Sequence, residues 1–182
     1  KFDPSDPNKV WTGHDGGISV TNDITATASS GEFRAVEWQL KNENYNVTQF
    51  YDISIPKASV TNEFTESNTI MGGTQDNGTP FFTTSDPNSV DASGADGAFS
   101  FFTPNFIYVS QQEGRVIQID VSGTEAIFNE VTPTDASGQL FIHPYLVNPN
   151  NEDIMYYPNG DTLWINTQMS NFSSGNWQVL DE

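Results

Sequence analysis

The chain has 182 residues, 24 of them acidic and 6 basic, for a formal charge of -18, and it contains no cysteine. That balance repels phosphate backbones and anionic lipid, which makes nucleic acid and membrane surfaces poor partners, and the missing thiols exclude disulfides and cysteine-ligated metals. No apolar run approaches the roughly 20 residues of a spanning helix, so no membrane insertion is expected.

Lys1-Phe2-Asp3 opens on a turn-like segment rather than a signal peptide, so any targeting sequence is expected to have been removed or to lie outside this chain. The abundance of Asn, Thr, Ser and Gly with little Lys predicts an extracellular or cell-surface protein. An acidic surface of this kind tolerates salt water, where ions screen its self-repulsion.

No stretch of 12 or more residues keeps a helical apolar period, whereas short alternating runs recur between turn residues. The chain is therefore predicted to be all-β with little or no helix. Asp3-Pro4-Ser5-Asp6-Pro7-Asn8 reads as a turn, because proline fixes φ and Asp and Asn close turns with their own side chains. In VWTGHDGGISVT, Val10-Trp11 then leads to an acid at Asp15. Gly31 to Leu40 (GEFRAVEWQL) alternates Phe33, Ala35 and, after a slip, Trp38 and Leu40.

The same order of apolar pair, polar stretch, acid at a turn and alternating strand returns three times. It runs from Ile70-Met71 to Asp76 (IMGGTQDNGTPFF), from Ile107-Tyr108 to Glu113 (IYVSQQEGRVIQI) and from Met155-Tyr156 to Asp161 (MYYPNGDTLWIN). Arg115 to Val121 alternates cleanly, with Val116 or Ile117 marking the face, and Asn148 to Asp153 repeats the opening turn chemistry. Trp38 and Trp177 close their repeats in VEWQL and GNWQVL, and both are expected to pack between adjacent sheets. The acids recur at about the spacing of a propeller blade, roughly 40 to 50 residues. The predicted fold is a set of β-propeller blades of antiparallel strands, about four blades or blade parts of a larger propeller, with approximate repeats 1–50, 51–98, 99–143 and 144–182.

Several strings add to the period: GHDGGISVTND, NVTQFYDISI followed by IMGGTQDNGT, TPNFIYVSQQEGRV, and FIHPYLVNPNNEDIMYY with a closing NWQVLD. In this order, and over nearly the whole chain, they resemble the bacterial β-propellers of the sortilin-like, BNR-repeat (Asp-box) superfamily. The resemblance implies a secreted or surface-anchored module of a larger bacterial protein that serves recognition or scaffolding and binds a carbohydrate or protein ligand without catalysis. The wider superfamily includes xyloglucanase-like glycoside hydrolases, so a hydrolase is the alternative.

Two departures stand out. The Ser-x-Asp-x-Gly-x-Thr-Trp box is nowhere intact, SSGEFRAVEW and NFSSGNW being eroded remnants. Four repeats also fall short of a closed ring, so the remaining blades are expected from the same or another chain, because an open ring exposes unpaired edges.

Asp15, Asp76, Glu113 and Asp161 stand at equivalent turns and would form part of a carboxylate ring. With His14, Gln75 and Asn77 they make up the candidate ligand-binding set. D-G, D-N-G and E-G are also ordinary hairpin signals in which Gly16, Gly78 and Gly114 supply positive φ, and both readings stand at this point. Glycoside hydrolysis needs two carboxylates roughly 5 to 10 Å apart. Asp15, next to His14, is the one candidate catalytic residue, and no partner stands out as the acid.

Calcium is the cofactor to expect if there is one, being a hard cation that takes loop oxygens. Asp86, Asn88, Asp91 and Asp96 offer such oxygens in SDPNSVDASGADG, but not at D-x-[DN]-x-[DN]-G spacing, and a solvated turn fits the segment better. His14 and His143 are the only imidazoles, and a structural role fits both. Phe81, Phe82, Phe99, Phe101 and Phe102 would either stack on a ligand or, as aromatics in β-rich chains usually do, fill the space between sheets.

Overall fold

Short alternating runs separated by turn residues fold into hairpins, and every named strand here pairs antiparallel with its neighbour in sequence. A computed structural model describes residues 1–14, 17–28, 35–43, 48–57, 60, 68–83 and 88–180. Among them the only helical pieces are three-residue 3-10 turns at Gln112–Gly114, Met169–Asn171 and Ser174–Asn176. The all-β expectation holds. The chain falls into two units, Lys1–Val47 and Thr48–Glu182.

The first unit is one four-stranded sheet in the order β1 (Phe2–Asp3), β2 (Asp6–His14), β3 (Gly17–Thr21) and β4 (Gln39–Leu40). Its buried residues, among those described, are Ser19, Val20 and Thr21 of β3. Trp38 corrects the sequence reading, because its indole is 44% exposed rather than packed between sheets. It leads into an outer strand of only two residues, both exposed, which offers too little surface to cover a ring of that size.

The second unit contains three sheets. The first has β5 (Ile70–Met71), β6 (Pro80–Phe82) and β7 (Val90–Asp91), and single bridges from Phe50 to Thr74 and from Ser54 to Met71 lay a further segment along β5. The second runs β8 (Gly97–Phe102), β9 (Phe106–Gln111), β10 (Val116–Asp120), β11 (Ile127–Glu130). The third runs β12 (Leu146–Val147), β13 (Met155–Asn159), β14 (Thr162–Asn166), β15 (Gln178–Val179).

The inner strands of the β8–β11 sheet, β9 and β10, are covered on both faces, and their sequence says why. Successive strand residues point to opposite sides. Phe106, Tyr108 and Val116 pack with Tyr145, Val147, Met155, Tyr157 and Trp177 of the β12–β15 region. Ile107, Val109, Ile119 and Val121 pack with Met71, Phe81 and Ala92 of the β5–β7 region. A strand covered on both sides reads as a continuous apolar run, and FIYV in β9 is one. The largest polar side chain buried there has partners: Gln118 is 2% exposed, and its Nε2 donates to the Tyr108 hydroxyl at 3.0 Å and to the Met169 carbonyl at 2.9 Å. Trp177 is 8% exposed and donates its indole N–H to the Val131 carbonyl at 3.0 Å, as the sequence reading requires.

Glycines set how closely this stack approaches at GGTQDNG. A Cβ on Gly73 would lie 1.9 Å from the Ala98 carbonyl oxygen, so only glycine admits β8 at that point. Gly78 has φ +68°, and a Cβ there would also meet the Ser93 carbonyl at 2.2 Å.

Candidate functional site

The turn acids were to occupy equivalent positions, and two of them share one geometry. Asp76 is the middle of a three-residue loop closed by Thr74 N–H to Gly78 C=O at 2.9 Å, and Glu113 is the middle of one closed by Gln111 N–H to Arg115 C=O at 2.8 Å. Their φ angles are 59° and 61°; a glycine of positive φ comes next in the second loop, Gly114, and closes the first, Gly78. Left-handed backbone at a carboxylate residue is uncommon, and here the loop closure on either side holds it. Both side chains are exposed at the tips.

Asp161 differs by one position. Asn159 pairs with Thr162 across a two-residue turn, Gly160 takes the positive φ of 61°, and Asp161 follows it with an exposed side chain. Asp15 lies outside the described residues. Its neighbours His14 and Gly17 pair with each other, and the His14 ring Nε2 is 2.9 Å from the Ser19 hydroxyl.

Asp96 links the first two tips of the larger unit. Its Oδ1 accepts the Asp76 N–H at 3.0 Å, its own N–H donates to Gln112 Oε1 at 2.9 Å, and its carbonyl accepts the Gln112 N–H at 2.9 Å. Next along, the Glu113 N–H donates to the Phe141 carbonyl at 2.8 Å, and the Tyr157 hydroxyl donates to the Gly114 carbonyl at 2.9 Å. Asp96 is thus a backbone-stitching residue. Asp91 lies in β7 opposite Pro80, Asn88 is exposed, and Asp86 is outside the described residues. Among the described residues no three His, Asp or Glu side chains converge as metal ligands.

Beside the Asp76 tip a cleft of ≈ 590 Å³ is lined by Phe50, Pro80 and Phe82 on its apolar side and by Asp76, Asn77 and Asp91 on its polar side. Gln75 is tied down, its N–H donating to the Gln49 carbonyl at 2.9 Å, and its carbonyl accepts the Asn77 side-chain amide at 3.0 Å. Tyr51 also belongs to this neighbourhood. Desolvation first, and then the Asp96 and Asp76 carboxylates, push its phenol above the ordinary value of 10.0. Sequence reasoning missed Phe50 and Tyr51, although both stand in the NVTQFYDISI segment just before IMGGTQDNGT.

A second cleft of ≈ 690 Å³ opens at the opposite ends of the strands, where the turn at Thr103 and Pro104 meets Asn148–Asp153 and Lys57. Glu152 accepts the Asn105 N–H at 3.1 Å and its side-chain amide at 2.5 Å, and Lys57 Nζ donates to the Pro149 carbonyl at 2.7 Å. Its polar groups are largely spent on holding turns together.

Hydrogen bonds from Ser5 lower the pKa of the Asp3 carboxyl at the surface, and the remaining shifted groups lie in the core. Burial pushes the Tyr157 hydroxyl up to about 12 and raises Tyr108 and Tyr145 further. His143 is 4% exposed, and burial holds its ring below the usual imidazole value of 6.5. Nδ1 accepts the Leu140 N–H at 3.2 Å, and the ring lies 4.6 Å from that of Tyr157. These environments keep side chains neutral, which suits packing. Comparison with protein-family models and with characterised proteins gave no match.

Proposed function

We propose that this chain is a partial β-propeller from a secreted or cell-surface bacterial protein and acts as a recognition or scaffold module. It binds a carbohydrate or protein ligand and performs no catalysis, and further blades complete the ring. Three consecutive antiparallel meanders stacked face to face, with the inner strands of the middle one covered on both sides, support the blade reading. A ring of blades repeats that stacking.

The cleft at the Asp76 tip carries the binding reading, since rings beside carboxylate and amide groups are the chemistry that grips a sugar. Aromatic faces cover its C–H surface, and oxygen acceptors take its hydroxyls. Affinity electrophoresis of the full chain through gels cast with xyloglucan, mannan or starch tests it. Retardation by one polysaccharide, abolished by Phe82→Ala and by Asp91→Asn, is expected. Equal migration in every gel would remove the carbohydrate ligand and leave only the protein ligand.

A further inference from the structure

β11 is the last strand of its sheet and has four residues, against two each in β7 and β15, the last strands of the neighbouring sheets. Its register fixes where its backbone groups point. The Val131 N–H donates to the Val116 carbonyl at 2.9 Å, and Asn129 stands opposite Gln118 with Ile127 opposite Asp120. In an antiparallel ladder the bonded pairs alternate, so Asn129 and Ile127 turn their N–H and C=O toward β10. Phe128 and Glu130 turn theirs away from the sheet, and no described residue bonds to them.

Ile127 and Phe128 are 59% and 60% exposed, and β11 contains neither proline nor lysine, two of the usual devices that blunt an open edge. At its Glu130 end lies a hollow of ≈ 340 Å³ lined by Glu113, Arg115 and Glu130. Arg115 is already engaged, with Nε 2.9 Å from Glu130 Oε2 and Nη1 2.9 Å from Gln111 Oε1. The exposed carboxylate of Glu113 therefore leaves the hollow with a net negative charge.

We propose that β11 is a docking edge for an extended peptide segment of another protein that carries a basic residue. The segment adds as a fifth strand, exchanges backbone hydrogen bonds with Phe128 and Glu130, covers the Phe128 ring with β-branched side chains, and places a Lys or Arg beside Glu113. A second copy of this chain is the wrong occupant. At a charge of -18 a second copy would be repelled as a whole and brings no basic cluster to the Glu113 hollow.

Calorimetric titration of the full chain with the acetylated, amidated peptide Lys-Thr-Val-Thr-Val-Lys tests the proposal. Saturable binding that weakens with added salt is expected. About tenfold weaker binding is expected both for the same peptide with Glu in place of Lys and for one with alternate amides N-methylated. Phe128→Pro removes an N–H that points off the sheet, so the melting temperature should hold while binding drops by about tenfold or more. Glu113→Gln should weaken the Lys peptide and leave the Glu peptide no weaker. Absence of binding, equal binding of the N-methylated or Glu peptide, or a Phe128→Pro protein that melts normally and binds normally would each overturn it. A dimer in sedimentation that Phe128→Pro dissolves would also overturn it, by giving the edge to a second copy.

Discussion

The β8–β11 sheet and the β1–β4 sheet have four strands each in the same sequential order, yet the first is covered on both faces along β9 and β10 and the second is buried only along β3. The difference is legible in strand length and composition. β9 and β10 are six and five residues long, with large apolar side chains on both sides, while β2 spends its nine residues on DPNKVWTGH and β4 has two residues in all. Four-strand meander topology is therefore one property and a packed position between neighbours is another. Only the second rests on apolar residues at consecutive strand positions.

The two tryptophans give the sharpest way to break this comparison. Trp177→Ala removes a buried indole and its hydrogen bond to Val131, and should cost about 3 to 5 kcal/mol in urea unfolding. Trp38→Ala, at a half-exposed ring, should stay within about 0.5 kcal/mol. Equal losses would mean that the N-terminal sheet is as firmly covered as the middle one. Next in size, Gln118→Ala strips the Tyr108 hydroxyl and the Met169 carbonyl of their shared donor and should cost about 1 to 3 kcal/mol. Gln39→Ala, on the exposed β4, should fall near zero by the same measurement.

A pH series sharpens the comparison further. Burial depresses the folded-state pKa of His143 below 6.5, so in acid the unfolded chain takes up a proton that the folded chain refuses. Its contribution is fully present above the unfolded value of 6.5 and is lost as pH falls below it toward the lower folded value. The melting temperature should therefore drop more steeply as pH falls below 6.5 in the parent than in His143→Gln. Parallel profiles would show that the ring is hydrated. The smallest effect belongs to the surface, where Arg115→Ala breaks the 2.9 Å pair with Glu130 and should change stability by about 0 to 1 kcal/mol.

How much could be read in advance depended on whether a feature was local. The alternation of RVIQIDV, the hairpins at Asp76, Glu113 and Asp161, and the burial of Trp177 follow from period and turn chemistry within a dozen residues. Trp38 misled because VEWQL resembles GNWQVL locally, while the surface that covers an indole comes from residues distant in sequence. The same limit hid Gln118, whose partners are 10 and 51 positions away. Asp96 offered the same oxygens whether it faced a cation or a backbone amide. In the fold its Oδ1 accepts the Asp76 N–H at 3.0 Å, a partner that no local pattern announces.

Because no strand among the described residues crosses from one sheet into another, each sheet can complete its own ladder as soon as its residues emerge during synthesis. Shielding arrives later and from one direction. Phe106, Tyr108 and Val116 stay bare on one side until Met155, Tyr157 and Trp177 have been made. During that interval a finished but half-dressed sheet presents an oily face to solvent, the kind of surface on which partly folded chains aggregate.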